Sequence, residues 1–327
     1  MTVLSSLTKK LHERNDLGEA EVALACEGLF DESRPLAERA DFLRALRDKG
    51  ETPHEIAAFV RVLLARAIQP DLGGGLLDVC GTGGDKAGLF NVSTAVMFVA
   101  AACGARVVKH GNRGITSKCG GADVLEALGV RIDQPPERAL HAAGCCFLFA
   151  PAYHPAFKAI APVRKALAEE GTTTVFNMLG PLLNPALPDF QLAGVFHPGL
   201  LATYAEVFRL LGRTRAWAVH GAGGLDEVST LGPSQVHAVD GGDIRVSEIR
   251  LEALNIPPAA VADLRGGTAA ENASLIEDLL RGRLHGPKRD IVLLNAACAL
   301  VVAGRAADVR GGLESASEAL DAGRGMD

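Results

Sequence analysis

Apolar residues recur at every third or fourth position through the first 70 residues of the chain. The clearest examples are Phe42, Leu43 and Leu46, followed by Ile56, Phe59, Val60 and Leu63. This spacing places apolar side chains on one face of each helix, so residues 1–70 are predicted to be helical throughout. The segment Thr52-Pro53-His54-Glu55 predicts a helix start, with a threonine N-cap, a proline at the first helical position and an acid three residues after the cap. We expect Gly50 to end the preceding helix.

The pattern changes after the turn-rich segment 70–75, which reads Pro-Asp-Leu-Gly-Gly-Gly. From there, short buried strands alternate with helices. A strand is predicted over residues 76–80, a helix over 94–103 that Gly104 closes, and a second strand over 105–109. These three elements form a βαβ unit.

The same alternation continues along the chain and is interrupted once by an antiparallel hairpin. Further strands are predicted near residues 145–150, 191–196 and 216–220, the hairpin strands over 235–239 and 244–246, and helices again from residue 269. The whole pattern predicts an α/β fold, with a mostly parallel central sheet and helices on its faces. We assign a small N-terminal helical domain to residues 1–70 and a larger α/β domain to residues 71–327. Part of residues 166–190 is expected to join the helical domain.

The composition is that of an ordinary globular protein, with 48% hydrophobic and 22% charged residues, and it excludes a disordered or fibrous chain. The net charge of −6 lacks the positive field of a nucleic-acid binder, so no nucleic-acid partner is expected. Seven scattered cysteines without C-x-x-C spacing predict neither a zinc nor a redox site. The polar N-terminus and the lack of an apolar run of about 18 residues predict a cytoplasmic protein without a membrane partner.

A glycine-rich segment, residues 81–85 (Gly-Thr-Gly-Gly-Asp), separates the first predicted strand from the next helix; we call it the glycine loop. Backbone N–H groups and the helix dipole favour an anion there, and the alternative is a plain tight turn. Lys86 stands where a dinucleotide fingerprint needs its third glycine, and no Gly-Lys-Ser/Thr completes a P-loop. Asn91, Ser93 and Thr94 open the following helix, so we expect one of them to cap it while a hydroxyl remains for phosphate or a metal ion.

Charged residues follow two other predicted strands. The basic loop, residues 109–113 (Lys-His-Gly-Asn-Arg), stands at the carboxyl edge of the sheet, where ligands of open α/β sheets bind, and Ser117 continues it. The acidic pair, Asp226 and Glu227, follows the strand predicted at 216–220. Adjacent carboxylates suit magnesium, which combines a few of them with waters and substrate phosphates. The alternative for both groups is a solvated surface turn.

Two further side chains precede or lie in a helix predicted to begin near Pro155. Arg164 has the planar guanidinium that pairs with a carboxylate through two hydrogen bonds. The alternative is an ordinary arginine on a helix surface. His154 is either a ligand contact or only the residue at which the helix starts.

Taken together, these motifs resemble the anthranilate phosphoribosyltransferase family. The matching stretches are residues 49–52 (KGET), 81–85 (GTGGD), 91–94 (NVST), 109–113 (KHGNR), 176–185 (FNMLGPLLNP), 226–229 (DEVS) and 293–297 (LLNAA). They occur in order and span almost the whole chain, so the set is highly specific. The resemblance implies the phosphoribosyltransferase and nucleoside phosphorylase type of fold. It also implies transfer of phosphoribose from phosphoribosyl pyrophosphate (PRPP) to anthranilate in tryptophan biosynthesis, with N-(5-phosphoribosyl)anthranilate and pyrophosphate as products.

The resemblance also implies which residues bind each ligand. PRPP is expected to contact Gly81, Gly84, Asp85, Asn91, Val92, Ser93, Thr94, Lys109, His110, Gly111, Asn112, Arg113 and Ser117. Anthranilate is expected to contact Gly81, Asn112 and Arg164, with His110, His154 and Pro181 lining its path. A Mg2+ cofactor is expected on Ser93, Asp226 and Glu227. No residue is assigned as a general acid or base, and a homodimer that pairs through the helical domain is implied.

The chain departs from the usual family sequence at three places. Leu89 and Gly121 stand where the family often has Thr and Ser, and the segment 168–174 is longer and lacks an arginine. Two rival functions share the general fold. A pyrimidine-nucleoside phosphorylase would bind orthophosphate and would not need the acidic pair. A nucleic-acid-binding protein would need a basic groove, which the net acidic charge disfavours.

Overall fold

The structure is a computed structural model that describes residues 2–84, 87–114 and 119–326. The helices of the described residues are α1 Val3–His12, α2 Glu19–Phe30, α3 Leu36–Lys49, α4 Pro53–Ala65, α5 Val92–Ala102, α6 Gly121–Ala127, α7 Pro136–Ala143, α8 Ala150–Tyr153, α9 Phe157–Glu169, α10 Leu201–Leu210, α11 Ala269–Leu280, α12 Pro287–Val302 and α13 Val309–Asp321. The strands are β1 Leu76–Gly81, β2 Arg106–Gly111, β3 Cys145–Phe149, β4 Phe190–Gly194, β5 Arg215–Gly221, β6 Ser234–Asp240 and β7 Asp243–Ile249. Within these residues, no helix combines the length and apolarity that crossing a membrane requires.

The chain forms two compact units. One contains Met1–Gln69 and Pro151–Pro185, and the other contains Pro70–Ala150 and Ala186–Asp327. The returning segment of the helical unit therefore begins at residue 151, earlier than the 166–190 segment expected from the sequence. The division into functional domains that the sequence suggests stays a prediction.

The four N-terminal helices of the helical unit, α1 to α4, pack together through buried apolar side chains. In α1 the buried residues Leu4, Leu7 and Leu11 follow a spacing of three and four. The predicted start of α4 is confirmed: the hydroxyl of Thr52 accepts from the N–H of Glu55 at 3.2 Å, and the Glu55 carboxylate accepts from the N–H of Thr52 at 2.8 Å. Gly50 ends α3 with a φ of 90°, a conformation that glycine adopts without strain.

The second unit contains one sheet, with the strand order β3-β2-β1-β4-β5-β6-β7. β3, β2, β1, β4 and β5 pair in parallel, whereas β6 and β7 form an antiparallel hairpin against β5. The predicted α/β fold with a mostly parallel sheet is confirmed. Because β1, β2, β4 and β5 are parallel, their carboxyl ends lie along one edge of the sheet.

The strands differ from their predicted bounds by a few residues, and one difference affects the site. β2 runs to Gly111 rather than ending at Lys109, so the first three residues of the basic loop belong to the strand. Lys109 is consequently buried, with 5% of its surface exposed. The helix after the glycine loop also begins earlier than predicted, at Val92.

Candidate functional site

Three glycines at the carboxyl ends of neighbouring strands make room for the acidic pair. A Cβ added to Gly81 of β1 would overlap the carboxylate of Asp226, and one added to Gly194 of β4 would overlap the Asp226 carbonyl oxygen. A Cβ on Gly221 of β5 would overlap the carbonyl oxygen of Glu227. Only glycine permits so close an approach of two backbone segments. The acidic pair is therefore seated directly on the strand ends.

The glycine loop is bonded to the same region. The N–H of Thr82 donates to the carbonyl oxygen of Gly194 at 2.9 Å, and the Thr82 hydroxyl accepts from the N–H of Phe196 at 3.0 Å. The N–H of Gly83 donates to the carboxylate of Asp226 at 2.6 Å. An N–H of the loop thus already holds an anionic oxygen, which is the interaction that a phosphate would make. Asp85, the last residue of this loop, lies outside the described residues.

Lys109 connects β2 to the first turn of α5. Its ammonium donates to the carbonyl oxygen of Val79 at 2.6 Å and to the hydroxyl of Ser93 at 3.1 Å. Because the side chain is buried, its charge acts in an environment where water screens it weakly. The arrangement places one fixed positive charge beside the hydroxyl at the start of the helix.

The predicted metal ligands are partly brought together. Ser93 and Glu227 line one small cavity, and Asp226 precedes Glu227 in the chain. Among the residues that the structure describes, no three His, Cys, Asp or Glu side chains gather into a metal site. Two carboxylates and a hydroxyl would leave several coordination positions for water and phosphate. Such an incomplete oxygen set fits magnesium, which is usually bound in this way, and does not fit a metal that needs a full protein cage.

Asn91 occupies the N-cap position of α5. We expected one of the residues that open this helix to cap it, but the Asn91 side chain makes no capping hydrogen bond. Its amide nitrogen donates to the carbonyl oxygen of Cys119 at 3.2 Å, and its amide oxygen accepts from the side chain of Asn272 at 2.9 Å. Asn272 also accepts from the N–H of Gly267 at 2.8 Å. Asn91 therefore joins α5 to α11 and to the loop before α6.

Arg113 of the basic loop is engaged by acidic side chains. Its guanidinium donates to both carboxylate oxygens of Glu126, one of them at 2.8 Å, and to Asp123 at 3.2 Å, and it lies 5.5 Å from the centre of the Phe149 ring. The neighbouring Asn112 accepts from the N–H of Arg113 at 2.7 Å. A phosphate would have to share this guanidinium with two carboxylates.

Asp123 anchors Gly114 and Gly120, the described residues on either side of positions 115–118. One of its carboxylate oxygens accepts from the N–H of Gly114 and from the N–H of Gly120, each at 2.8 Å. Burial alone would raise the pKa of Asp123, but the two N–H donors and Arg113 outweigh it and lower that pKa. Ser117, expected to contact PRPP, lies outside the described residues, between these two anchors.

The other residues expected to contact PRPP lie in the first turn of α5 and at the end of β2. Val92 and Thr94 are buried in the first turn of α5, and the N–H of His110 donates weakly to Asp78 at 3.4 Å. A Cβ on Gly111 would meet the ring of Phe147 at 2.8 Å. Gly121, where the family often has Ser, lies beside two of these groups: a Cβ there would stand 3.5 Å from the hydroxyl of Thr94 and 3.8 Å from Lys109.

The remaining residues expected to contact anthranilate or to line its path belong to the helical unit. The guanidinium carbon of Arg164 lies 5.9 Å from the ring centre of Phe157 and 5.6 Å from that of Phe176. The ring of His154 meets Phe157 edge-on at 5.6 Å, and its Nε2 is 2.9 Å from the carbonyl oxygen of Leu183. Pro181 is buried in the same unit. Arg164, His154 and the two phenylalanines thus form one aromatic and cationic cluster.

Arg164 is a suitable anchor for a carboxylate. Burial lowers the pKa of its guanidinium from the ordinary value. None of the ion pairs found among the described residues of the helical unit includes Arg164. A partly desolvated arginine that rests on aromatic rings can bind a carboxylate through two hydrogen bonds.

Several residues of the site were assigned no role from the sequence. They are Asp123, Phe157, Gly194, Gly221, Asn272 and Asn295. One signal was available: Asn295 is the single polar residue of the apolar segment 291–302. A buried amide in such a segment needs hydrogen-bond partners, which points to a specific role.

The comparisons with known proteins agree with the fold described above. Two family models match: the helical bundle domain of a glycosyl transferase family over residues 5–67, and the a/b domain of the same family over residues 73–326. The anthranilate phosphoribosyltransferase of Methylocella silvestris is 45% identical, over 99% of this chain and 93% of that protein.

Two solved structures share the fold over nearly the full length. The anthranilate phosphoribosyltransferase of Thermus thermophilus is 41% identical with a TM-score of 0.89, over 98% of this chain and 96% of that one. The enzyme from Saccharomyces cerevisiae in complex with PRPP and Mg is 26% identical with a TM-score of 0.88, over 99% and 94% of the two chains. The chain belongs to the anthranilate phosphoribosyltransferase family, whose members transfer phosphoribose from PRPP to anthranilate in tryptophan biosynthesis.

Proposed function

We propose that this chain binds PRPP at the carboxyl edge of its sheet and transfers the phosphoribosyl group to anthranilate. One observation carries this proposal: the N–H of Gly83 holds the carboxylate of Asp226 at 2.6 Å, so the glycine loop and the acidic pair meet at one point. A backbone that binds anionic oxygens and carboxylates that bind a divalent cation are both required for a magnesium pyrophosphate. A nucleoside phosphorylase, which binds orthophosphate, would have no need of the acidic pair.

The donor site proposed here follows the sequence assignment. Its contacts are Gly81, Gly84, Asn91, Val92, Ser93, Thr94, Lys109, His110, Gly111, Asn112 and Arg113, together with Asp85 and Ser117, which lie outside the described residues. Within this set, Lys109 supplies a buried positive charge and Arg113 an exposed one. Charge-assisted hydrogen bonds of this kind are about twice as strong as neutral ones.

Magnesium would be held by Ser93, Asp226 and Glu227, whose oxygen donors fit that ion. When bound, it neutralises the negative charge that develops on the leaving pyrophosphate. The strand-end glycines and the hydrogen bond from Gly83 fix the acidic pair before any ligand arrives. Such preorganisation lowers the cost of ordering charged groups during the reaction.

Anthranilate is proposed to bind through Arg164, which takes its carboxylate, with Gly81 and Asn112 as further contacts and with His110, His154 and Pro181 along its path. The aromatic amine is itself the nucleophile: its nitrogen forms the bond to the ribose carbon as the bond to pyrophosphate breaks. The amine then loses one proton to water. Orientation and charge stabilisation account for the acceleration, and no side chain is assigned as a general base.

The assembly and location are also proposals. We propose a homodimer that pairs through the helical domain, residues 1–70 with part of 166–190. In support, Val3, Leu24 and Leu36 expose between 42% and 49% of their surfaces in that part of the chain. A cytoplasmic location agrees with membership of a family of amino-acid biosynthesis enzymes.

The decisive experiment follows the loss of anthranilate fluorescence with purified protein, PRPP and a magnesium titration. We expect turnover only when all three are present. Orotate, nicotinate and a pyrimidine nucleoside with orthophosphate serve as competing substrates. Turnover of any of these without turnover of anthranilate would refute the proposed acceptor, and a lack of any turnover with natively folded protein would refute the transferase assignment.

A further inference from the structure

Helix α12 carries one buried polar side chain in an otherwise apolar segment. From Ile291 to Val302 every residue except Asn295 is apolar, and Asn295 exposes only 1% of its surface. Asparagine is unfavourable in the interior of a helix, because its side-chain amide competes for the hydrogen bonds that the helical backbone groups make with each other. A leucine or alanine at this position would suit the helix better, so the amide must be explained by its partners.

The side-chain amide of Asn295 forms two hydrogen bonds with the backbone of Val228. Its oxygen accepts from the N–H of Val228 at 2.9 Å, and its nitrogen donates to the carbonyl oxygen of the same residue at 2.8 Å. The nitrogen also donates to the carbonyl oxygen of Ile291, one turn earlier in α12, at 2.8 Å. This last bond fixes the orientation of the amide group. Val228 is itself fully buried, so neither of its backbone groups can turn to water instead.

Val228 directly follows the acidic pair in the chain. Asn295 and Glu227 line the same small cavity, and Ser93 lines it as well. On another side, Gly194 and Gly221 press against the backbone of Asp226 and Glu227. The segment that carries the two carboxylates is therefore held between the strand ends and the amide of Asn295.

We propose that Asn295 is a positioning residue for the metal site, one that acts through the backbone of Val228 to aim the carboxylates of Asp226 and Glu227. The inference rests on the proposed role of the acidic pair as magnesium ligands. Partners that orient metal ligands contribute to affinity without touching the ion, and their loss typically weakens binding by about 10- to 100-fold. A purely structural asparagine would stabilise the fold and leave the affinity for the ion unchanged.

The test compares Asn295→Leu, which keeps the branched shape of the side chain but removes the amide, with Asn295→Ala. Binding of Mn2+, with and without PRPP, is followed by the enhancement of water-proton relaxation, and turnover is measured across a Mg2+ titration. We expect the dissociation constant for Mn2+ to rise at least about 10-fold in both variants. Turnover should recover substantially at high Mg2+, because the chemical groups are still present.

The matched control is Cys298→Ala, one turn along the same helix and fully buried outside the site. It should lower the melting temperature by lost packing and leave Mn2+ binding unchanged. If the Asn295 variants lower the melting temperature but bind Mn2+ like the unmodified protein, the positioning role is wrong. If the unmodified protein and Asp226→Asn/Glu227→Gln bind Mn2+ equally well, the metal assignment itself has failed, which separates the two ideas.

A measurement on the unmodified protein covers the case in which neither Asn295 variant folds. The proposal requires the amide hydrogen of Val228 to be held continuously by Asn295, so its exchange with deuterated water should be as slow as that of the sheet core. Rapid exchange at Val228 would show that the amide does not hold this segment, and the proposal would fall.

Discussion

The carbonyl oxygen of Asp226 lies directly over the α-carbon of Gly194, so closely that a Cβ at position 194 would overlap it. The neighbouring strand ends show the same relationship, with Gly81 against the Asp226 carboxylate and Gly221 against the carbonyl oxygen of Glu227. The absence of side chains at these three glycines is therefore as necessary for the site as the charged residues are. The acidic pair reaches its position because three adjacent strands end in glycine.

Gly194→Ala should therefore disable the enzyme. The added methyl group must displace the backbone of Asp226, and a misplacement of about 1 Å near reacting groups can reduce the rate by about 100-fold. We expect kcat/KM to fall by at least that factor, with a higher magnesium requirement. Steady-state kinetics and a magnesium titration measure both effects.

Gly311→Ala is the matched control for this substitution. Gly311 lies in the first turn of α13, and a Cβ there would have its nearest neighbour at an ordinary 3.6 Å. Alanine favours a helix over glycine, so this variant should be active and slightly more stable. An active Gly194→Ala variant with an unchanged magnesium requirement would contradict the steric account.

The double substitution Asp226→Asn with Glu227→Gln tests the acidic pair as metal ligands. Both replacements keep the shape of the side chains and remove the negative charges that bind a hard cation. The magnesium concentration for half-maximal activity should rise by about 10-fold or more. A superimposable magnesium titration would remove the assignment.

Arg164→Ala should impair use of the acceptor more than binding of the donor. Hydrogen bonds to charged groups contribute about 1.5–3 kcal/mol, so the KM for anthranilate should rise by about 10- to 100-fold while that for PRPP changes little. The control is Lys165→Ala, the next residue along α9, whose side chain is 79% exposed. Equal losses for both substrates would contradict the role proposed for Arg164.

Asp123→Ala should weaken PRPP binding, although Asp123 is not an expected ligand contact. The substitution releases the N–H groups of Gly114 and Gly120, and the expected PRPP contact Ser117 lies between these two residues in the sequence. We expect the KM for PRPP to rise by about 10-fold, since two hydrogen bonds to a charged group are lost. Glu126→Ala removes only the pair with Arg113 and should have a smaller effect. The opposite ranking of the two variants would show that these anchors do not matter.

His154 predicts a pH dependence of stability. Burial lowers its pKa below the ordinary 6.5, and the hydrogen bond to Leu183 offsets only part of this effect. Below about pH 6.5 His154 is protonated in the unfolded chain but remains neutral in the folded chain. The free energy of unfolding therefore falls as the pH decreases. This loss continues until the pH passes below the pKa of the folded state.

His154→Gln removes the titration and retains a group that can donate to Leu183. Urea unfolding between about pH 7 and about pH 5 should show a steeper loss of stability for the unmodified protein than for this variant. Parallel pH profiles for the two proteins would show that His154 does not contribute to the slope.

Much of the fold could be predicted from the sequence because the signals act over a few residues. The capping box of Thr52 and Glu55, the stop at Gly50 and the hairpin of β6 and β7 each depend on neighbours in the chain. The glycine loop, the basic loop and the acidic pair were also visible, since their residue types suit phosphate and magnesium. Whether each predicted residue binds its ligand stays a prediction.

The tertiary structure decided what these groups touch. Asn91 was a candidate helix cap, yet its side chain bonds to Cys119 and to Asn272, which is 181 residues later in the chain. In the sequence, Gly194 and Gly221 are ordinary strand ends; only the tertiary structure shows that the backbone of the acidic pair packs against them. Asn295 is an unfavourable polar residue in an apolar helix, and its hydrogen bond to Val228 is seen only in the folded chain. Local hydrogen bonds and periodicity determine where elements begin and end. Steric exclusion and buried hydrogen bonds between distant segments determine which side chains share a site, and they arise only when the elements pack.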